Sequence, residues 1–102
     1  MKIIWSPLAV RRMKEAADYI AKGSTSQADK WVESIFNKMD LLKDNPEMGR
    51  IVPEIEVLNV REILFGKYRL IYKLLKKEIL ILTVRSFRQI FNVHELGRVN
   101  KR

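Results

Sequence analysis

In this 102-residue chain the side chains best arranged for chemistry are read in one stretch, residues 60–89. There is no cysteine and a single histidine, His94, which excludes disulfides and thiolate metal sites and argues against a zinc centre or a serine-type triad. What remains is a carboxylate, Glu62, among the arginines Arg69, Arg85 and Arg88 of residues 60–89, VREILFGKYRLIYKLLKKEILILTVRSFRQ. A carboxylate beside guanidinium groups supports two readings. It can accept a proton next to an anion that the arginines hold, or it can pair with arginine as a half-buried ion pair. For Glu62 with Arg69 the two readings stand level.

The elements that must position these residues read as an antiparallel meander. Segments 60–65, 68–75 and 78–85 are rich in Ile, Leu, Val, Tyr and Phe, with Gly66-Lys67 and Lys76-Lys77 between them. With two-residue turns, Phe65 pairs with Tyr68 and Leu75 with Glu78, and side-chain alternation sorts the sheet into two faces. One face, the expected core, carries Ile63, Phe65, Tyr68, Leu70, Tyr72, Leu74, Ile79 and Ile81, with Arg61, Thr83 and Arg85 toward one end. The other carries Val60, Leu64, Ile71, Leu75, Leu80, Leu82 and Val84, interrupted by Glu62, Arg69, Lys73, Ser86 and Arg88. Chemistry belongs on that second face. Its apolar residues need a cover, supplied either by the segment 90–96 or by a partner.

The rest of the chain supplies a layer for the first face. Lys2–Trp5 is a short strand; Ser6 as N-cap and Pro7 at the first helical position then start a helix. Ala9, Met13, Ala16, Ala17 and Ile20 recur at helical spacing to about Lys22, and Gly23 is expected to end the helix in the left-handed conformation. Ser24 and Gln27 have capping-box spacing and open a second helix, with the stripe Ala28, Trp31, Val32, Ile35, Met39 and Leu42, to about Lys43. Packed as a hairpin on the sheet, the helices should bury Trp31, Phe36 and Met39 against Leu70, Tyr72 and Ile81, at roughly 1.5–3 kcal/mol per large side chain. Asn45-Pro46 breaks the second helix, and 54–59 reads as a short acidic loop.

The fold class is therefore α+β: an N-terminal strand and a two-helix hairpin packed on a three- to four-stranded antiparallel sheet. A single domain is expected, with a core of about residues 2–91 and a basic tail, 92–102. A net charge of +8 favours a polyanionic partner or an acidic protein segment. No signal-peptide pattern and no membrane-length apolar run are present in the sequence, so a cytoplasmic protein without a membrane partner is expected. No cofactor or metal is expected.

The order of these pieces resembles the RelE/ParE superfamily of bacterial type II toxin–antitoxin toxins. Asp18-Tyr19-Ile20-Ala21, Asn45-Pro46 and Gly49-Arg50 look like the first half of ParE-type members. Val60-Arg61-Glu62, Tyr68-Arg69-Leu70-Ile71-Tyr72, Ile81-Leu82-Thr83-Val84-Arg85 and Arg88-Gln89 look like the second half shared across the family. The resemblance covers roughly residues 3–91. It implies growth inhibition relieved by a cognate antitoxin, and one of two targets: DNA gyrase, bound as by ParE-like members, or messenger RNA, cut in the ribosome as by RelE-like members.

For RNA cleavage the resemblance makes Arg69 and Arg88 phosphate-facing residues and leaves Glu62 as the base. Ser86 stands where relatives often carry histidine, and serine is a poor acid, so ParE-like gyrase inhibition is the preferred expectation and an endoribonuclease the alternative. A non-toxic basic nucleic-acid-binding module is the third reading. Arg50, Arg61, Arg85, Arg88 and Gln89 are the candidates for contact with target or antitoxin. An acidic, amphipathic antitoxin segment is expected to cover apolar surface together with several of Arg69, Arg85 and Arg88.

Overall fold

A computed structural model describes residues 1–87, in the order β1 (Lys2–Trp5), α1 (Pro7–Gly23), α2 (Thr25–Asp44), β2 (Arg50–Ile51), β3 (Val60–Phe65), β4 (Tyr68–Leu74) and β5 (Glu78–Ser86). The strands form one five-stranded sheet in the order β1-β5-β4-β3-β2. The strand count exceeds the expected three to four because both short flanking segments join the meander. β1 pairs with β5, in parallel, and β2 adds to β3 as a two-residue edge. The two central turns have the expected register, with Phe65 opposite Tyr68 and the Leu75 amide donating to the Glu78 carbonyl.

Ser6 joins the two layers. Its hydroxyl accepts the Ala9 amide at the start of α1 and donates to the Leu82 carbonyl, while its own amide donates to Ile81. Ser24 serves both helices. Its amide donates to the Ile20 carbonyl to close α1, and its hydroxyl accepts the Gln27 amide to open α2. With the Ser24 amide engaged in this way, the reciprocal arm of a capping box has no donor. Gly23 is helical rather than left-handed, because an extended Ser24 already turns the chain; among the described residues the one glycine at positive φ is Gly66, at 61°, in the β3–β4 turn.

The helices cover one sheet face. Ala9, Ile35, Met39 and Leu42 pack with Ile63, Phe65, Leu70, Tyr72, Ile79, Ile81 and Val84 in one apolar cluster, with Trp31 partly buried against it. Phe36 departs from expectation: it is half exposed, its ring lying 6.4 Å from Trp5, because it follows the buried Ile35 by one residue and so points away from the sheet.

The opposite face has its own cover. Val52, Val60, Ile71 and Leu82 form a second buried cluster, capped by Ile55 and Val57 from the loop 52–59. The cover expected from the segment 90–96 or from a partner is thus supplied, over Ile71 and Leu82, by the acidic loop. Leu64 stays 45% exposed beyond its reach.

Candidate functional site

The strand that carries the candidate residues does not alternate evenly. Ile71 lies opposite Thr83 but Tyr72 lies opposite Ile81, so Leu82 is an extra residue, a β-bulge. Past the bulge every β5 side chain changes face. Val84 enters the helix-side cluster, Ser86 comes opposite Tyr68, and Arg85 comes opposite Arg69. This corrects the even alternation read from the sequence, which placed Thr83 and Arg85 with the core and Val84 and Ser86 on the chemical face. The bulge thus brings Arg85 to the face of Glu62 and Arg69.

Glu62 is the centre of that face and has no side-chain exposure. One of its oxygens accepts Arg69 Nε at 2.7 Å, and the other accepts Arg50 Nε. Arg69 is also buried. Its two terminal nitrogens donate to both oxygens of Glu54, at 2.9 and 2.7 Å, in a bidentate pair. Its guanidinium carbon lies 5.8 Å from the centre of the Phe87 ring. The chain Arg50–Glu62–Arg69–Glu54 therefore alternates in charge and sums to zero. The hydrogen bonds to Glu54 raise Arg69 above the usual arginine range, and the same bonds hold the Glu54 carboxyl below the usual carboxylate range.

Glu54 is the member that sequence reading missed. An acidic residue in a loop after Pro53 was visible, but which strand the loop would cross depends on the fold. Here the loop folds back on itself, with the Ile55 and Glu56 amides both donating to the Val52 carbonyl, and this carries Glu54 over β4. Pairing through Glu54 also fastens the loop above the second apolar cluster.

Arg61 lies apart from this network. It is opposite Tyr72 on the helix side, and its guanidinium donates to the carbonyls of Glu47 and Gly49 at 3.2 and 3.0 Å. The Tyr72 hydroxyl donates to Pro46 and accepts the Gly49 amide, and burial pushes the phenol above its usual range. A Cβ at Gly49 would come within 2.6 Å of that hydroxyl and 2.7 Å of the Glu62 carbonyl, so glycine is required for the close approach. Arg61 and Tyr72 thus anchor the 45–49 turn, which in turn sets Arg50 beside Glu62.

Of the candidate residues, the fold brings together Glu62, Arg69, Arg50 and Arg85 and separates Arg61. Arg88, Gln89 and His94 lie outside the described residues.

A second concave region lies on the helix side. Two adjoining cavities, of about 280 and 470 Å³, share Tyr19, Tyr68 and Ser86 as lining residues. They run between α1, the N-terminal turns of α2 and the β3–β4 turn, where the rings of Trp31 and Tyr68 are 5.1 Å apart. No helix among the described residues is long and apolar enough to cross a membrane.

Comparison with known proteins agrees with this architecture. Residues 3–91 match the family model described as the ParE toxin of the type II toxin–antitoxin system, parDE. A chain of the solved structure titled chromosomal ParDE TA system from P. aeruginosa superimposes with a TM-score of 0.67 at 24% identity, over 84% of this chain and 95% of that one. At that identity the superposition speaks for the fold. No curated protein sequence matches at a significant level.

Proposed function

The chain belongs to the ParE toxin family of type II toxin–antitoxin systems, and from that premise we propose that it arrests growth by binding DNA gyrase, without cutting RNA, and is neutralised by a cognate antitoxin. The observation that carries this reading is the enclosure of Glu62 and Arg69. A general base must reach the proton that it removes, and a catalytic arginine must reach the phosphate that gains charge. Glu62, with no side-chain exposure, accepts from two arginines, and Arg69 donates to two carboxylates. Such a network suits a scaffold that holds a binding surface rather than a proton-transfer site.

The direct test is DNA supercoiling by purified gyrase with the full chain added, beside ribosome-dependent cleavage of a defined messenger RNA. Inhibited supercoiling with intact transcript is the expected result. Unaffected supercoiling at concentrations that arrest cells overturns the reading, and transcript cleavage turns it toward the endoribonuclease.

A further inference from the structure

The cavities on the helix side form a groove whose walls are aromatic and apolar: Tyr19 and Ile20 from α1, Trp31 from α2, Tyr68 and Val84 from the sheet. Tyr19 is 62% exposed, a large apolar area for a side chain lining both cavities. The loop 52–59 covers Ile71 and Leu82 on the other sheet face, whereas Tyr19 in this groove stays exposed.

The path of the chain leads there. Ser86, the last residue of β5, lines both cavities, and the Phe87 amide donates at 2.9 Å to the carbonyl of Lys67 at the groove's other wall. Fifteen residues follow, 88–102, and four of their five Ile, Phe, Val and Leu residues, Ile90, Phe91, Val93 and Leu96, fall within the first nine. Three extended residues cover roughly 10 Å, so a segment that starts beside Ser86 begins at a groove that Ser86 itself lines.

We propose that this groove is the docking site of the chain's own C-terminal segment, residues 90–96, with Ile90 and Phe91 as its apolar anchors. Any partner that takes the groove then competes with the end of this chain, which makes the segment a built-in competitor.

The absence of cysteine allows a clean test in the full-length protein. A nitroxide label attached through Asn92→Cys should erase most of the amide signal of Ala16, Tyr19 and Ile20 and of the Trp31 indole, and spare Leu64 and Leu80 on the opposite face. The pattern should persist on dilution. Groove signals that keep their intensity overturn the proposal and leave the groove to a partner's segment; broadening that fades on dilution overturns it in favour of a second copy. As an independent check, Phe91→Ser in a Trp5→Phe background should shift Trp31 emission to the red, and an unchanged spectrum contradicts the docking.

Discussion

The two faces of the sheet are both buried, but by different physics. On the helix side, two amphipathic helices lay Ala9, Ile35, Met39 and Leu42 on Leu70, Tyr72 and Ile81, and cover is non-directional apolar contact. On the other side a short loop does the covering, and Ile55 and Val57 alone would hold it weakly. Its fastening is the bidentate Glu54–Arg69 pair, itself set by Glu62 and Arg50. Adjacent residues of β4 show the contrast. Arg69 and Ile71 face the loop, whereas Leu70 between them faces the helices. A loop can be spared a large apolar area if a directional pair replaces it, at the risk that every member then depends on its partner.

The largest effect should follow from breaking that dependence. Arg69→Met leaves Glu62 buried with Arg50 as its remaining partner and should cost about 3–5 kcal/mol in urea unfolding. Adding Glu62→Leu should return most of that loss, since the buried charge goes with its partner; a double variant no more stable than Arg69→Met would refute the network as the cause.

A comparable or slightly smaller loss, about 2–5 kcal/mol, should follow either Leu70→Ala or Ile71→Ala, both fully buried. The distinction lies in where protection is lost. Leu70→Ala should speed amide exchange throughout the helices and sheet, whereas Ile71→Ala should act chiefly on the loop 52–59. Equal exchange profiles would mean that the faces are one cooperative unit.

The smallest effect is titrational. The folded-state pKa of Glu54 is depressed by Arg69, so its contribution is present above the ordinary carboxylate range and is lost as pH falls through the lower folded value. Acidification below the ordinary carboxylate range should therefore loosen the loop before global unfolding, and Glu54→Gln should flatten that step in loop amide exchange. A step unchanged by Glu54→Gln would assign it to another group.

How much of this was legible in the sequence depended on whether the signal was local. Ser6-Pro7, the apolar stripes of both helices, the Ser24 cap and the two tight turns are encoded within a few residues, and the structure keeps each of them close to its expected place. The pairing of Glu62 with Arg69 was also readable, because one hairpin sets their separation. Three features were decided only by tertiary structure. The bulge at Leu82 is invisible in a run of Ile, Leu and Val that alternates equally well either way, yet it moves Arg85 across the sheet. The parallel pairing of β1 with β5 joins residues more than seventy positions apart, which no local pattern records. Glu54 became the partner of Arg69 only because an acidic loop folded back over β4: a carboxylate in a loop acts on whatever the fold sets beneath it.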